Sequence, residues 1–463
     1  MNAIKYAEIE LLASLAGFSP IHNEADMKRY LGDWSGLVGG QPLAVLRPRT
    51  TREVADIAAA CHKAGKKITI QGGLTGLAGG AVPDQGDIVI SLERMNKVEE
   101  FDLQGGTVTV QAGATLQAVA DSVEAHDWYF PLDCGARGSC QIGGNVATNA
   151  GGNRVLRYGT MRELVLGLEV VLADGTVLSM LNKVMKNNTG LDLKHLFIGS
   201  EGTLGIVTKV VLKLFPKPQR RYSAFCALES FGNLTTLLKM ARSSIPSLSA
   251  FEVMWDDYLD LASAALGRAK PFDGDYPVYV LLEAEGMDSP EQELALQRLL
   301  EQALEEGIVS DVILPHSSEQ AAQLWEMRDA IGELLSGMKP YIAFDIGIPV
   351  SRMDGFIEGI KKDMQASYPS ARHLFFGHLG DGNLHYATGP HRDEDIVPID
   401  DFVYTAVEKA GGSISGEHGI GRLKKPFLRH SRGPEEIALM RMIKRAVDCN
   451  SGLNAGRVFD SSE

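Results

Sequence analysis

The residues with the clearest chemical potential are two histidines on either side of a turn. His378 and His385 enclose Leu-Gly-Asp-Gly-Asn-Leu, whose glycines and aspartate are typical of a hairpin turn that brings side chains together from adjacent strands. Downstream, Glu417 and His418 lie in a second glycine-rich bend, Ser413–Gly421. Two imidazoles and one carboxylate leave coordination positions open for a substrate, as in catalytic zinc sites. We therefore expect a divalent metal site, with Zn²⁺ favoured and Mn²⁺ or Fe²⁺ as open alternatives.

Three glycine-rich stretches form the second chemical signal. They are Gln71–Ala81, Gly135–Gly152 and Gly199–Gly205. Glycine allows positive φ and brings backbone N–H groups close to a ligand, a geometry that suits a pyrophosphate. No Gly-Lys-Ser/Thr ends the first loop and no GxGxxG occurs in the chain, so neither a Walker loop nor a Rossmann fingerprint is present. Together the loops predict a long ligand with phosphates and a flat ring system.

The elements that must position these loops alternate between strand and helix. Thr50 and Glu53 have capping-box spacing and Gly65 is a stop signal, which predicts a helix between them, in a strand-helix-strand unit with a right-handed crossover. We predict strands over Leu43–Arg47, Lys67–Ile70, Asp87–Leu92, Thr107–Gln111, Leu164–Leu172, Gly205–Leu214, Val278–Glu283 and His373–Gly377. Further helices are predicted over Leu116–Glu124, Gln292–Glu306, Glu319–Leu335 and Gly433–Val447. Pro216 and Pro218 predict a domain boundary.

Composition excludes several classes of protein. The 463 residues predict two or three domains, and 44% hydrophobic with 22% charged residues is ordinary globular usage. A net charge of -14 is the wrong sign for a nucleic-acid binder, and no apolar run approaches the roughly 18 residues of a membrane span. Five scattered cysteines form no metal or disulfide framework, and Met1–Gly17 has the pattern of an amphipathic helix rather than a signal peptide. We expect a reduced, cytoplasmic protein without a transmembrane segment.

These motifs carry a family resemblance. Leu43–Leu214 resembles the flavin-binding domain of the vanillyl-alcohol oxidase/p-cresol methylhydroxylase (PCMH) family, through the glycine loops, Pro131–Asp133 and Tyr158-Gly159. The chain is similar to that family's D-2-hydroxyacid dehydrogenase branch, which includes D-2-hydroxyglutarate dehydrogenase, D-lactate dehydrogenase and the glycolate oxidase flavin subunit. The resemblance implies an α+β fold with four parts. They are an N-terminal helical segment (1–34), a PCMH-type FAD-binding domain (35–217), an α+β substrate cap domain with the metal site (218–424), and a C-terminal helix and tail (425–463) that return to the flavin.

The resemblance also implies bound FAD and its contacts. Some relatives tether the flavin through a histidine in the first loop, where this chain has Leu74-Thr75, so we expect non-covalent FAD. Attachment through Cys134, where relatives commonly carry proline, is the less favoured alternative. The implied cofactor-binding residues are Gln71, Gly72, Gly73, Leu74, Thr75, Gly76, Leu77, Asp133, Gly138, Ser139, Ile142, Gly143, Gly144, Ala147, Thr148, Asn149, Gly152, Tyr158, Gly159, Glu201, Gly202, Gly205, Ile206 and Asn454.

The metal ligands that the resemblance implies are His378, His385 and Glu417, with His418 as the base. A 2-hydroxy carboxylate chelates a metal, which lowers the pKa of its hydroxyl group; His418 would take the proton and flavin N5 the hydride. Arg328 matches a family arginine that contacts the substrate carboxylate, and Asn383 is a candidate donor to the substrate. Lys424 also matches the family pattern, with its role left open.

The resemblance favours D-2-hydroxyglutarate as the substrate, with two departures. Ala343 replaces a lysine of those enzymes, and Gly332 lacks a hydroxyl that some relatives have, while Lys339 lies nearby. D-lactate, a larger apolar D-2-hydroxy acid and a glycolate oxidase-type complex remain alternatives. Without a cysteine cluster for iron–sulfur ligation, electrons must leave to a separate acceptor: an electron-transfer flavoprotein, a quinone or a cytochrome. The sequence leaves three questions open: the identity of the electron acceptor, whether the chain forms a homodimer, and whether the enzyme is an oxidase or a dehydrogenase. A flavin-free metallohydrolase is a further alternative, but it would leave the three glycine loops without a role. A binding module without turnover would leave the Glu417-His418 pair without a role.

Overall fold

A computed structural model describes residues 10–461, which form two compact units. The first unit comprises residues 10–152, Gly159–Lys217 and 417–461. The second comprises Asn153–Tyr158 and Pro218–Gly416. The chain therefore enters the second unit twice, first by a six-residue excursion and then for about two hundred residues. The predicted four-part division of the chain stays a prediction.

The first unit is built on a parallel and an antiparallel sheet. The parallel sheet has the order β1 (Ala44–Leu46), β3 (Ile88–Ser91), β2 (Ile68–Gln71). The antiparallel sheet has the order β4 (Val98–Asp102), β5 (Thr107–Gln111), β9 (Ile206–Lys213), β7 (Val165–Val171), β8 (Val177–Met180). A short ladder joins β6 (Trp128–Tyr129) to β10 (Phe215–Pro216).

The second unit is built on one antiparallel sheet of seven strands. Its order is β14 (Asp311–Ile313), β11 (Arg220–Leu228), β13 (Val278–Gly286), β12 (Leu248–Trp255), β16 (Arg372–His378), β17 (Asn383–Gly389), β15 (Ile342–Gly347). With the first unit's sheets, this confirms the predicted mixture of helix and sheet.

Helices connect many of these strands along residues 10–461. They are α1 (residues 10–15), α2 (Glu24–Met27), α3 (Thr51–Lys63), α4 (Leu116–Glu124), α5 (Ile142–Ala147), α6 (Val155–Tyr158), α7 (Met161–Leu164), α8 (Lys194–Phe197), α9 (Phe231–Ser244), α10 (Asp256–Ala265), α11 (Pro290–Glu305), α12 (Ser318–Arg328), α13 (Ile331–Ser336), α14 (Val350–Ser367), α15 (Asp393–Lys409) and α16 (Pro434–Val447). Short 3₁₀ helices cover Ala16–Phe18, Lys28–Tyr30 and Lys425–His430. Across residues 10–461, no helix combines the length and apolarity needed to span a membrane.

Local sequence signals explain helix α3. The Thr50 hydroxyl accepts a hydrogen bond from the backbone N–H of Glu53 at 3.2 Å, and Gly65 follows the helix with a φ of 64°. Val54, Ile57, Ala58 and Cys61 recur at helical spacing and are fully buried. The N-terminal part of the predicted Met1–Gly17 helix, residues 1–9, lies outside the described residues.

The single helix predicted over Glu319–Leu335 is wrong. Two helices, α12 and α13, occupy this stretch, separated at Asp329–Ala330. The backbone carbonyl of Arg328 accepts a hydrogen bond from the Tyr258 hydroxyl at 2.6 Å. The Tyr258 hydroxyl thus satisfies a backbone carbonyl at the end of α12. The apolar periodicity of the sequence continues across Asp329–Ala330 and therefore does not reveal that the helix ends there.

The strand register in the sheet of the second unit makes several candidate site residues neighbours. Glu252 of β12 lies opposite His378 of β16, and His378 lies opposite Asn383 of β17. In the next row of the same face, Phe376 lies opposite His385. Alternate residues of a strand share a face, so four polar side chains from three strands converge on one surface.

Candidate active site

The three predicted metal ligands come together. His378, His385 and Glu417 each offer a ligand atom, and these atoms lie within 4.8 Å of one another. The imidazole centroids of His378 and His385 are 5.5 Å apart at an interplanar angle of 76°. The hairpin of β16 and β17 accounts for the histidine pair, because the two residues occupy neighbouring rows of one sheet face.

The chain that leads into Glu417 is held by the edge strand β15. The backbones of Ser413 and Gly347 exchange two hydrogen bonds of 2.8 and 2.9 Å. The buried Asp345 carboxylate accepts from the Gly416 N–H at 3.2 Å and from the Ser415 hydroxyl at 3.3 Å. A Cβ on Gly416 would lie 2.7 Å from the Asn383 amide, so only glycine fits there. Glu417 directly follows this fixed segment.

A buried glutamate joins two of the predicted site residues. Glu252, 1% exposed, accepts from Arg328 Nε at 2.7 Å and from His378 Nδ1 at 2.8 Å. Since an ionised carboxylate can only accept, Nδ1 of His378 carries a proton and Nε2 carries the lone pair, which accepts from Arg328 Nη2 at 3.0 Å and is the lone pair that a metal ion would use. Carboxylates that orient metal-binding histidines in this way are a recurring feature of metal sites. Glu252 was missed by the sequence analysis, although a single charged residue within the apolar strand Leu248–Trp255 was a usable signal.

The charges in this network reinforce one another. Burial opposes ionisation of Glu252, but the neighbouring His378 and Arg328 outweigh it and hold the pKa of Glu252 below its usual value. Burial likewise disfavours the charged form of Arg328, yet the Glu252 carboxylate raises the pKa of Arg328 above its usual value. The guanidinium and the carboxylate therefore both stay charged in the interior.

Asn383 and Asp381 complete the surroundings of His378. Neither amide atom of Asn383 has a hydrogen-bond partner among the described residues, although the side chain is buried. Asp381 accepts from the Asn383 backbone N–H at 3.0 Å, and burial raises the pKa of the Asp381 carboxyl group. An unsatisfied buried amide beside potential metal ligands indicates a place where a ligand supplies the missing partners.

The first glycine loop presents unused backbone donors. The N–H groups of residues 72–80 make no hydrogen bond to any part of the chain that the structure describes. Gln71 holds the loop at its base, since its Nε2 donates to the carbonyls of Tyr30 at 2.8 Å and Ala81 at 2.7 Å. Leu74 and Gly79 have positive φ values of 60° and 72°. Such a run of outward N–H groups forms an anion-binding concavity.

Close backbone packing explains several of the other glycines. A Cβ at Gly73 would overlap the carbonyl oxygen of Ser139, and one at Gly152 would overlap that of Asp133. A Cβ at Gly143 would lie 2.7 Å from the Cβ of Ala112. The first two glycine-rich stretches therefore pack backbone against backbone, which only glycine permits.

The third glycine stretch is tied to the C-terminal tail. The Glu201 carboxylate accepts from the backbone N–H groups of Ile420 and Gly421, both at 2.7 Å, and burial raises its pKa. Asn454 accepts from the Ile70 N–H at 2.8 Å and donates to the Glu201 carbonyl at 2.6 Å. The tail thus returns to strand β2, and the Asn454 amide is engaged with protein groups. Its predicted approach to the flavin stays a prediction.

The donor chemistry of the first unit fits a dinucleotide. Besides the open N–H groups, the buried side-chain oxygens of Gln71, Gln141 and Asn145 lack a donor among residues 10–461. The phosphates of a dinucleotide need such N–H donors. Its hydroxyl and ring N–H groups would donate to the three unsatisfied side-chain oxygens.

The remaining predicted residues divide between the units. Those of the first unit are Asp133, Gly138, Ser139, Ile142, Gly144, Ala147, Thr148, Asn149, Gly159, Gly202, Gly205, Ile206 and His418, whereas Tyr158 lies in the short excursion assigned to the second. His418 is partly buried, Lys424 is buried, and Ala343 and Gly332 are exposed. Their roles stay predictions.

Comparison with known protein families identifies the class. Residues 42–180 match the FAD binding domain model, and residues 217–458 match the model of the C-terminal domain of FAD linked oxidases. Among solved structures, p-cresol methylhydroxylase with bound substrate superposes with a TM-score of 0.77 at 17% identity, over 99% of this chain and 97% of that one. The fold is therefore PCMH-type, with an FAD-oxidase C-terminal domain.

Curated relatives narrow the class. D-2-hydroxyglutarate dehydrogenase of Xanthomonas citri pv. viticola is 40% identical over 95% of this chain and 94% of its own length. The mitochondrial D-2-hydroxyglutarate dehydrogenase of Bos taurus is 41% identical over 91% of this chain and 78% of its own. A putative mitochondrial D-lactate dehydrogenase of Schizosaccharomyces pombe is 37% identical over 94% of this chain and 85% of its own length. The chain belongs to the FAD-dependent D-2-hydroxyacid dehydrogenase branch of the FAD-linked oxidases.

Proposed function

We propose that this enzyme oxidises D-2-hydroxyglutarate to 2-oxoglutarate with the help of a divalent metal ion. The observation that carries the proposal is the convergence of His378, His385 and Glu417 beside a buried arginine and the unsatisfied Asn383 amide. Relatives that share about two fifths of the sequence over nearly its whole length carry the corresponding name.

Each protein group has a defined task in this proposal. His378, His385 and Glu417 hold the metal, which when bound supplies a Lewis acid that lowers the pKa of the substrate hydroxyl group. His418, next to Glu417, takes the hydroxyl proton. FAD, held by the glycine loops of the first unit, supplies the two-electron acceptor when bound. Asn383 donates its amide N–H to a substrate oxygen.

Arg328 binds the carboxylate next to the reacting carbon. A guanidinium has five N–H donors, and the contacts to Glu252 and Asp329 use two of them. A metal ion on Nε2 of His378 would displace the Arg328 donor that faces this nitrogen, which leaves three N–H groups for a substrate. Glu252 acts as a positioning residue, because it fixes the guanidinium and the His378 ring from one buried carboxylate. This arrangement supports recognition of the 2-hydroxy acid group that all candidate substrates share.

The second carboxylate of the substrate is the less constrained part. Ala343 and Gly332 are exposed, and a Cβ on Gly332 would meet nothing within 4 Å. These positions leave room for a longer acid without supplying a cation. D-lactate dehydrogenation is therefore the second candidate, favoured by the missing lysine at Ala343 and by the similarity to the S. pombe protein.

Turnover with an artificial electron acceptor tests the proposal. The FAD-loaded, metal-replete enzyme is assayed with D-2-hydroxyglutarate, L-2-hydroxyglutarate and D-lactate, and the 2-oxo acid is identified by mass spectrometry. We expect 2-oxoglutarate from the D isomer alone and a higher kcat/KM than for D-lactate. A higher kcat/KM for D-lactate would replace the substrate but keep the reaction, and no 2-oxo acid from any D isomer would refute the function.

Three further assignments stay predictions. They are Zn²⁺ as the metal, a separate electron-transfer flavoprotein, quinone or cytochrome as the acceptor, and the cytoplasm as the location. Several relatives are described as mitochondrial, so their compartments differ from the predicted one. Metal analysis of the purified enzyme and reduction assays with each acceptor class test the first two.

A further inference from the structure

Two cysteines lie next to each other in the loop between the Pro131–Asp133 motif and helix α5. The sulfur atoms of Cys134 and Cys140 are 3.7 Å apart, within thiol hydrogen-bond distance, and both residues are reduced. Five residues separate them, and Cys134 is partly accessible to solvent while Cys140 is 5% exposed. A disulfide requires the sulfurs to approach to about 2.05 Å, so closure needs a shift of about 1.6 Å shared by two side chains.

The loop between the two cysteines can accommodate that shift. A Cβ built on Gly135 or Gly138 meets nothing within 4 Å, and the residues from 135 to 139 are mostly exposed. The loop is anchored at its far end, where the Cys140 carbonyl accepts from the Leu116 N–H at 3.0 Å. The Cys134 end is held as well, since the Cys134 carbonyl accepts from the Arg137 N–H at 3.2 Å, so the shift falls mainly on the two side chains.

The same loop contacts the predicted cofactor loops. Ser139, next to Cys140, places its carbonyl oxygen against Gly73, and Gln141, on the other side of Cys140, is the N-cap of α5. A covalent link at Cys140 therefore acts on backbone that packs against the open N–H groups of the first glycine loop. None of the other cysteines lies in these loops.

We propose that Cys134 and Cys140 form a reversible disulfide that couples the thiol redox state to FAD binding. The thiolate of one cysteine of the pair attacks one sulfur of a small-molecule disulfide and releases one thiol. The other cysteine, on losing its proton, then attacks the protein sulfur of the mixed disulfide and releases the second thiol. Two protein thiols are oxidised and one external disulfide is reduced to two thiols, so atoms and electrons balance.

The contact between the two thiols favours a thiolate in this loop. A hydrogen bond from one thiol lowers the pKa of its partner, to about 7 for Cys140. The thiolate is the attacking species, so this pair should react more readily than the other buried cysteines. Burial raises the pKa values of Cys61 and Cys226 to about 12, and both are fully buried. These two thiols should stay inert in the native protein.

Thiol counting on the full-length chain tests the disulfide. The exposed Cys449 is replaced (Cys449→Ser) so that it cannot form adducts, which leaves four thiols, Cys61, Cys134, Cys140 and Cys226. After incubation with oxidised glutathione we expect two thiols to be lost, and peptide mapping should find a Cys134–Cys140 disulfide that dithiothreitol reverses. The matched variants Cys134→Ser and Cys140→Ser should form no intramolecular disulfide, and at least one of them should retain glutathione on the remaining cysteine of the pair. Four remaining thiols, or a stable adduct in the parent protein, would overturn the disulfide.

A second readout tests the coupling. The Kd for FAD is measured by flavin fluorescence for the reduced and the oxidised protein, and we expect weaker binding after oxidation. By linkage, bound FAD must oppose disulfide formation by the same factor, which a glutathione redox titration with and without FAD measures independently. Equal Kd values in the two states would overturn the coupling, whatever the fate of the thiols.

Discussion

The two candidate binding regions of this enzyme are built from different parts of the polypeptide. In the first unit, the first glycine loop offers backbone N–H groups, and Gly73 and Gly152 let backbone pack directly on backbone. In the second unit, His378 and His385 lie on one sheet face, and the carboxylates of Glu252 and Asp345 hold His378 and the segment that leads into Glu417.

This difference predicts how each region fails. Because backbone N–H groups cannot be mutated, a backbone site is damaged where an added Cβ would overlap neighbouring backbone, as at Gly73 and Gly152. A side-chain site loses function when either a ligand or its supporting carboxylate is removed. Each kind of change should therefore impair binding at one site and leave binding at the other site unchanged.

Removal of a metal ligand should have the largest effect. We expect His385→Ala to lower both metal affinity and kcat/KM by at least about 100-fold, because two ligands cannot hold the ion against water. Metal affinity is measured by calorimetric titration, and kcat/KM by the turnover assay with an artificial electron acceptor. FAD content should match that of the parent protein, and a parallel loss of FAD would contradict the separation of the two sites.

Removal of the supporting carboxylate should have the next largest effect. We expect Glu252→Gln to weaken metal binding about 10–100-fold, since His378 and Arg328 lose the group that orients them. Glu283→Gln is the matched control. It breaks a similar buried ion pair, with Arg154 at 2.6 Å, on the same sheet face without touching His378. Equal metal affinities in the two variants would show that Glu252 has only a structural role.

An added methyl group should break the backbone site. Gly73→Ala would place its Cβ on the Ser139 carbonyl oxygen, and overpacking of this kind costs about 1–3 kcal/mol. We expect weaker FAD binding and a lower Tm, with metal affinity unchanged. Gly135→Ala is the control, because its Cβ meets nothing within 4 Å. If both variants bind FAD like the parent, the close packing of the loops is not needed for the cofactor.

The smallest predicted effect concerns substrate choice. Ala343→Lys adds a cation at an exposed position, and an exposed ion pair contributes at most about 1 kcal/mol. We expect the ratio of kcat/KM for D-2-hydroxyglutarate over D-lactate to rise by up to about fivefold. Ala343→Ser, which adds polarity without charge, should leave the ratio unchanged. A fall in the ratio for the lysine variant would place the distal carboxylate elsewhere.

The sequence predicted what depends on local signals. The helix Leu116–Glu124 was predicted with the observed bounds, and the Thr50 cap and the strand Thr107–Gln111 were also found. The glycine clusters and the His378 hairpin were visible for the same reason, since each motif is contiguous.

Features that depend on distant residues were not predictable. Glu252 and His378 are 126 positions apart, and only the register of β12 against β16 makes them neighbours. The break after Arg328 depends on the hydroxyl of Tyr258, 70 positions earlier. Local periodicity carries no information about such partners, although the lone glutamate in an apolar strand could have suggested that one existed.

An anaerobic visible spectrum tests the central claim most directly. The FAD-loaded, metal-replete enzyme is mixed with D-2-hydroxyglutarate, with the L isomer and a chelator-treated sample as controls. We expect the D isomer alone to bleach the flavin band, and chelation to slow bleaching until a divalent metal is restored. Bleaching at an unchanged rate after complete metal removal would contradict the role of His378, His385 and Glu417. An unbleached flavin would contradict D-2-hydroxyglutarate as the substrate.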